Sequence, residues 1–542
     1  MERRAIRKWT AALVLLCAGC LWLQFRNIER TLPYPHDIDE GYVAGPAART
    51  IVTGTLHPYN FIYPSLPKYL AAVGMAVGFV RAAGQHEITE IQKLGNAGFP
   101  YYQTPRALQG ARELFAFLSV VTLAAIGVAG WLAFRKPAAI LLSPLVLAAS
   151  PLFFYHSWTY LNVDIVGACF VVLTLVACLH AIGQPSIQRS ALVPGVCAGL
   201  ATGSKYTLAL VIVPVLLAIQ MYVPAGRRVQ ACLAAIAAMA AAFLIAVPYS
   251  LLDIPLFLNG VAFSAAHYSG GHVGAEGEPG LAQLAYYARH FASDFGAVGA
   301  ALAVLGVLAF GIADWRRAVV LFSFPFGLIW LLVAHRVRFA RNVLGLHPMI
   351  AMAVAYGIVA VHGWAMREAH RRGWTSPRVE RPVSLLVGLL LVVVAIPATH
   401  VRDQFRDRTD SRKLAQAWIE SRLPPDWTIV IPSQLAFDAR GLEARGFHVV
   451  DVNLQSAANA DALRGLLSGV QEPAVILVPR WGADSRFSGQ EIADALNEVS
   501  RHWRVEKTFG TNPVLVNYSQ PNPSGDPAFA IATLERRRIP DH

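Results

Sequence analysis

The chain has 542 residues, of which 55% are hydrophobic and 15% are charged, and its formal net charge is +12. This composition is too apolar for an ordinary soluble domain and predicts a polytopic membrane protein. The basic residues lie mostly at the ends of apolar runs, where they act as topology signals, so the positive charge does not indicate nucleic-acid binding.

The first apolar run, residues 9–25, follows four basic residues and precedes the charged stretch 26–30. A secretory signal peptide begins in the same way, but no small-residue cleavage site is evident before that stretch. We therefore expect a retained first helix with its N-terminus in the cytoplasm.

An acidic segment, His36-Asp37-Ile38-Asp39-Glu40-Gly41-Tyr42, comes directly after this helix. Three carboxylates in four residues beside a membrane are costly unless they take part in chemistry or bind a cation. Asp37 and Asp39 together are suitable ligands for a divalent cation. The alternative for Asp39 is a structural helix cap, and for Glu40 it is a cap or a salt bridge.

The remaining apolar runs bring the total to about eleven spans. They fall at 110–133, 138–156, 162–182, 190–203, 206–223, 229–250, 294–313, 318–334, 340–362 and 383–399. The segment 63–83 is ambiguous, and its assignment decides the side of every later loop. If it does not span, the clusters of Arg and Lys between spans fall in the cytoplasm, as the positive-inside rule requires. We therefore expect 63–83 to be an interfacial or re-entrant helix.

With this topology, the unusual polar residues collect on the outer face. They are Asp37, Asp39, Glu40, Lys68, Asp164, Lys205, His267, His272, Arg336, Arg338 and Arg341. Acids and bases that converge on one membrane face indicate an active site at the lipid–water boundary. Simpler explanations exist for several of them: a helix start for Asp164, snorkelling for Lys205, headgroup contacts for the arginines and an exposed loop for the histidines.

The composition changes near residue 401, where charges increase and apolar runs shorten. The segment 411–422 has the pattern of an amphipathic helix, and 428–431, 448–450 and 474–478 have the pattern of buried strands. Helices are expected at 460–468 and 489–503. The sequence thus predicts a membrane domain at 1–400, a small extracytoplasmic α/β domain at 401–520 and a flexible tail at 521–542.

Several segments in this order resemble the GT-C membrane glycosyltransferases, in particular the family 39-like branch of protein O-mannosyltransferases and lipid A aminoarabinose transferases. The matching segments are Asp39-Glu40, Tyr63-Pro64-Ser65-Leu66, Arg112, Asp164 after Pro151, Gly199-Leu200-Ala201 with Lys205-Tyr206, Arg336 to Arg341, and Asp410-Ser411-Arg412 with Trp418. The resemblance extends to about residue 430. The acidic segment departs from the family pattern by its additional Asp37.

The resemblance implies a polytopic α-helical fold and transfer of a hexose or pentose, with inversion, from a polyprenyl-phosphate donor to a protein, lipid or glycan hydroxyl. It implies a multi-pass protein of the bacterial inner membrane.

The residues of the outer face can be assigned roles in this reaction. A carboxylate is the usual base that takes the proton of an acceptor hydroxyl, and this role falls to Asp39, with Glu40 and Asp164 as further catalytic candidates. The leaving phosphate needs cations, for which Lys68, Lys205, Arg336, Arg338 and Arg341 are available. Apart from the resemblance, His267 and His272 are candidates for acceptor contacts or for a metal pair. The resembled branch works without metal in general, so a divalent cation is optional.

The main alternative is a transporter or flippase for a lipid-linked substrate. Such a protein places charges near the middle of its spans and has two similar halves. Here the charges lie at the ends of spans and no half-repeat is visible. Another lipid-linked membrane enzyme, such as a glycan ligase, and a sensor with an outer domain are further alternatives.

Overall fold

The computed structural model describes residues 2–34, 37–88, 90–98, 101–102, 104–182, 186–271, 275–374, 376, 379–406, 409–435, 437–453, 460–470, 473–479, 504–509 and 529–533. Its helical part runs to about residue 404. The helices are α1 (Glu2–Thr31), α2 (Gly41–Thr53), α3 (Leu66–Gly84), α4 (Pro105–Phe134), α5 (Ala139–Ala149), α6 (Pro151–His156), α7 (Val163–Ala181), α8 (Val193–Ser204), α9 (Ile212–Tyr222), α10 (Ala225–Ala246), α11 (Tyr249–Leu252), α12 (Ile254–Gly270), α13 (Leu281–Asp294), α14 (Gly296–Ala313), α15 (Trp315–Val333), α16 (His347–Arg371), α17 (Glu380–Ala395) and α18 (Ala398–Gln404).

Short segments connect these helices. Ile38–Glu40, Ile91–Asn96, Tyr206–Val211 and Ala340–Leu346 form 3₁₀ turns, and Gln188–Leu192 forms a π-helical turn. Two short antiparallel strands, β1 (Ala97–Gly98) and β2 (Tyr101–Tyr102), precede α4.

Polar side chains define where several helices begin. Asn162 accepts a hydrogen bond from the Asp164 backbone N–H at 2.7 Å and so caps α7. Ser150 caps α6 and Asp314 caps α15 in the same way. These bonds satisfy donors that the first helical turn leaves unpaired. The cap at Asn162 also fixes the start of the helix that carries Asp164.

Eight of the described helices are long and apolar enough to cross a membrane, and the bent pair α17–α18 would make a ninth. This confirms the predicted helical membrane protein. The count is lower than the predicted eleven or so, although it includes α3, because three predicted spans form only short helices and 383–399 falls in the bent pair. The run 138–156 breaks at Ser150, which precedes Pro151 and is extended. The predicted spans 190–203 and 206–223 contain only the short helices α8 and α9, which lie on either side of the extended Lys205.

Helix α3 is among the eight, although the sequence favoured an interfacial position for it. That position stays a prediction. α3 packs closely on α4 through glycines of both helices, and a Cβ atom at Gly78 would collide with the backbone carbonyl of Arg106. Small residues permit this backbone contact between helices in a membrane.

The C-terminal domain contains α19 (Ser411–Arg422), α20 (Arg440–Ala444) and α21 (Ala460–Ser468). Its strands are β3 (Thr428–Pro432), β4 (His448–Val452), β5 (Ala474–Pro479), β6 (Arg504–Phe509) and β7 (Phe529–Thr533), in the sheet order β4-β3-β5-β7-β6. β3 is parallel to β4 and β5, whereas β7 is antiparallel to β5 and β6. Ile419 of α19 packs in one core with Ile429 and Val475 of the sheet.

The predicted small α/β domain is therefore confirmed, with three strands and two helices near their predicted positions. The helix predicted at 489–503 lies outside the described residues. The structure differs from the predicted tail at 521–542, because β7 lies inside the sheet between β5 and β6. Its pairing comes from residues far away in the chain, which a local pattern of five residues does not reveal.

Candidate active site

The acidic segment after α1 meets the segment before α16. Arg341 Nη2 donates to Asp39 Oδ2 at 2.6 Å, and Arg341 Nη1 lies 3.6 Å from Asp37 Oδ2. Tyr63 Oη donates to the same Asp39 oxygen at 2.8 Å. Asp39 is thus held by one cation and one hydroxyl, which fixes the carboxylate in position.

Asp37 completes this cluster. Its Oδ1 accepts a hydrogen bond from the Asp39 backbone N–H at 2.8 Å. Burial and the neighbouring charge of Asp39 raise the pKa of Asp37 to about 7, against the opposing effect of Arg341. Of the two carboxylates beside the guanidinium, Asp37 therefore loses its proton only near neutral pH.

Glu40 points away from this cluster and is fully buried. Its two carboxylate oxygens accept from Arg112 Nε at 2.8 Å and Arg112 Nη2 at 2.7 Å. Glu40 Oε1 also accepts from the Leu161 backbone N–H at 3.1 Å. The geometry thus favours the salt bridge that the sequence left open over the catalytic role assigned to Glu40.

Asp164 and Lys205 form the second charged pair. Lys205 Nζ donates to Asp164 Oδ1 at 2.6 Å and to Asn342 Oδ1 at 3.0 Å. Tyr268 Oη donates to the same Asn342 oxygen at 2.9 Å. This network fixes the ammonium group of Lys205 between Asp164 and Asn342, and Asn342 directly follows Arg341 in the chain.

A cavity of about 650 Å³ lies against these groups. Asp39, Lys205 and Arg341 contribute to its wall, together with Tyr268 and Asn342. The rest of the wall is mostly apolar and aromatic and comes from Tyr42, Ile62, Tyr63, Pro64, Tyr206, Val261, Phe263, Ala265, Leu331, Leu332 and Phe339, with Thr207, Ser264, His267 and His335 as further polar members. An apolar cavity with a few convergent charges is the usual form of a ligand site.

A narrow cleft opens beside Asp39 on the side of α7. Asp39, Tyr160, Asn162, Asp164 and Arg341 line it, and its volume of about 10 Å³ is close to that of one water molecule. Asp39 and Arg341 border both spaces, so the cleft adjoins the large cavity at these two residues.

The other predicted phosphate ligands lie elsewhere. Lys68 Nζ donates to the backbone oxygen and the side-chain oxygen of Asn60, and Lys68 does not line either space. Arg336 pairs with the exposed Glu278 at 3.3 Å, and Arg338 lies over the ring of Tyr286. The structure therefore brings together two of the five predicted cations, Lys205 and Arg341.

The two predicted histidines differ in what the structure describes. His267 lines the cavity, with its ring roughly parallel to those of Phe263 and Phe339. His272 lies outside the described residues. Within the described part of the chain, no group of three or more His, Cys, Asp or Glu residues is arranged to hold a metal ion. The carboxylates of Asp37 and Asp39 instead face the guanidinium of Arg341.

Three residues of the site carried no predicted role. Tyr63 was part of a matching segment, Tyr268 was part of the outer loop, and Asn342 directly follows Arg341. Only Asn342 had a usable signal, since it is an amide beside a predicted ligand at the start of an apolar run. Its contact with Lys205 joins residues 137 positions apart, which one sequence does not show.

Residues 107–251 match the family model described as dolichyl-phosphate-mannose-protein mannosyltransferase. The match includes Asp164 and Lys205. It confirms, for this part of the chain, the predicted resemblance to GT-C membrane glycosyltransferases of the protein O-mannosyltransferase branch. No curated protein sequence matches the chain.

Solved structures of two proteins are similar along most of the chain. ArnT from Cupriavidus metallidurans bound to undecaprenyl phosphate is 13% identical with a TM-score of 0.47, and the match covers 96% of this chain and 98% of ArnT. The archaeal oligosaccharyltransferase AglB from Archaeoglobus fulgidus, in complex with an inhibitory peptide and a dolichol-phosphate, is 13% identical with a TM-score of 0.44. That match covers 86% of this chain and 69% of AglB. Identities and TM-scores this low define no residue role in this chain.

Proposed function

We propose that this protein is an integral membrane glycosyltransferase that moves a hexose or pentose from a polyprenyl-phosphate donor to an acceptor hydroxyl. The reaction takes place on the extracytoplasmic face of a bacterial inner membrane, and it inverts the anomeric carbon. The observation that carries the proposal is the cavity of about 650 Å³ with Asp39, Lys205 and Arg341 in a mostly apolar wall. A polyprenyl chain fits an apolar wall, and its phosphate is stabilised by the two cations.

In this proposal Asp39 is the general base. The acceptor oxygen attacks the anomeric carbon with its electron pair, and its proton passes to Asp39. The bond between the anomeric carbon and the phosphate oxygen breaks at the same time. The polyprenyl phosphate leaves with that electron pair, and its increased negative charge is stabilised by Lys205 and Arg341. Attack on the side opposite the phosphate accounts for the inversion.

The contact between Arg341 and Asp39 gives this proposal an order of events. Arg341 and Tyr63 both donate to Oδ2 of Asp39, so their contacts occupy an oxygen that would otherwise accept the proton of the acceptor. A donor phosphate competes with Asp39 for Arg341, and donor binding would therefore release the base. The network of Asp164 and Asn342 keeps Lys205 in place during this exchange.

The test uses purified protein in nanodiscs with a panel of radiolabelled polyprenyl-phosphate sugars and crude envelope extract as acceptor. Wild type is compared with Asp39→Asn, and with Asp461→Asn as a matched control, since Asp461 is exposed on α21. We expect turnover of at least one donor by wild type and by the control, and its loss in Asp39→Asn at unchanged thermal stability. Folded wild type that turns over no donor would contradict the proposal, and a lipid-flipping assay would then test the transporter alternative.

A further inference from the structure

Tyr34 lies between two buried ion pairs that belong to different domains. On one side, Arg412 of the α/β domain lies 3.7 Å from the centre of the Tyr34 ring and pairs with Asp410 at 2.9 Å. On the other side, Arg112 of α4 donates to the Tyr34 backbone oxygen at 3.0 Å and pairs with Glu40. All five residues are buried.

The α/β domain is attached to the end of α1 by further contacts around Tyr34. The backbone N–H of Asp438 donates to Tyr34 Oη at 3.2 Å, and the backbone N–H of Asp410 donates to the Arg30 oxygen at 3.2 Å. Lys413 Nζ donates to the backbone oxygen of Glu29 at 3.1 Å. Tyr34 therefore contacts the α/β domain through its side chain and the Arg112–Glu40 pair through its backbone oxygen.

Glu40 is linked both to Asp39 and to the start of the helix that bears Asp164. It directly follows Asp39 in the 3₁₀ turn Ile38–Glu40. Its Oε1 also accepts from the backbone N–H of Leu161, which precedes the Asn162 cap of the helix that bears Asp164. A shift of Arg112 therefore changes the position of Glu40, and with it Asp39 and the start of α7.

We propose that Tyr34 is a positioning residue through which the α/β domain holds Asp39 in its catalytic position. A buried pair transmits such a shift because separating one partner leaves an uncompensated charge. The effect on turnover rests on the function proposed above, whereas the effect on the position of the acidic segment does not.

The first experiment measures backbone hydrogen exchange of the full-length protein in nanodiscs. Tyr34→Leu removes the ring under Arg412, and Tyr34→Phe retains it. Tyr356→Leu is the control, since it removes a half-buried ring that packs on Phe134 and Phe310. In Tyr34→Leu we expect exchange in residues 37–43 to rise about tenfold, with α16 unchanged.

Tyr34→Phe should give a smaller rise, and the control should give none in this segment. Unchanged exchange of residues 37–43 in Tyr34→Leu would overturn the proposal. A uniform rise throughout α4 and α16 would also overturn it, because that result means general destabilisation.

The second experiment measures kinetics with the donor that wild type uses. In Tyr34→Leu we expect kcat to fall about tenfold with no rise in KM for the donor, because Lys205 and Arg341 are both retained. Tyr34→Phe should lose less than about threefold, because the cation–π contact remains. Equal loss in both variants, or a rise in KM alone, would overturn the proposal. Absence of any wild-type turnover would refute the glycosyltransferase function, and the exchange result would remain valid by itself.

Discussion

Arg341 Nη2 lies 2.6 Å from Asp39 Oδ2, although the two residues are 302 positions apart in the chain. Arg341 thus joins the loop after the first helix to the turn before α16. The same guanidinium lies between Asp39 and Asp37 and borders the large cavity. Its charge is therefore available both to the carboxylates and to an anionic ligand.

This relationship predicts the effect of replacing Arg341. Arg341→Gln leaves two carboxylates without their cation and removes a phosphate contact, so we expect kcat/KM for the donor to fall by at least about a hundredfold. Arg341→Lys retains the positive charge but not the planar guanidinium with its paired N–H donors, so we expect an intermediate loss of kcat/KM. Steady-state kinetics measure both. Arg336→Gln is the contrast, since Arg336 pairs with an exposed glutamate, and a similar loss in that variant would contradict this assignment.

A second prediction separates structure from catalysis at Glu40. Glu40→Gln leaves Arg112 buried without its carboxylate, and breaking such a pair costs about 3–5 kcal/mol. We expect a lower midpoint of thermal unfolding in Glu40→Gln, and a comparable decrease in Arg112→Gln. The double variant should be less destabilised than the sum of the two. Full stability of Glu40→Gln together with lost turnover would support the catalytic role instead.

A third prediction concerns Asp164, which accepts a hydrogen bond from Lys205 Nζ at 2.6 Å and lines the narrow cleft beside Asp39. Asp164→Asn should raise KM for the donor, because Lys205 loses the partner that fixes it, with a smaller effect on kcat. Adding Asn342→Asp restores a carboxylate 3.0 Å from Lys205 Nζ and should recover part of the affinity. Donor titrations of the single and double variants test this. A collapse of kcat at constant KM would identify Asp164 as the base.

The helical part of the fold could be predicted from the sequence, because apolar runs and their flanking charges are local features. The amphipathic pattern also gave the bounds of α19, Ser411–Arg422. The break at Ser150 was not predicted, because a run that remains apolar hides a change of backbone direction, whereas the break at Lys205 falls on the predicted boundary between the spans 190–203 and 206–223. β7 was missed for a different reason, since its partners β5 and β6 are not adjacent to it in the chain and a local pattern does not show which strands will pair.

The residues of the candidate site could be predicted from the sequence only in part. The acids Asp39 and Asp164 stood out because a carboxylate at the end of an apolar run is costly. The sequence does not distinguish the cations that line the site from those that lie elsewhere, because Lys205, Arg336 and Arg341 all lie at the ends of spans. The structure distinguishes them by their partners, which are a carboxylate of the site for Lys205 and Arg341 and an exposed glutamate for Arg336.

A last prediction uses the raised pKa of Asp37, which is about 7 in the folded protein because of burial and the charge of Asp39. In an unfolded chain the pKa of an aspartate is about 4. Between these values the folded protein binds one more proton than the unfolded chain at this position. The contribution of Asp37 to stability is therefore greatest below about pH 4 and falls as the pH rises to about 7.

Asp37→Asn removes this dependence, so we expect the variant to gain stability relative to wild type as the pH rises from about 4.5 to about 7. Each pKa unit corresponds to about 1.4 kcal/mol, and a gain of at least about 1 kcal/mol is expected. Thermal or denaturant unfolding in nanodiscs at several pH values measures it, with Asp461→Asn as the exposed control. A stability difference between Asp37→Asn and wild type that is independent of pH would mean that Asp37 is already ionised near pH 4.5, held in that state by Arg341.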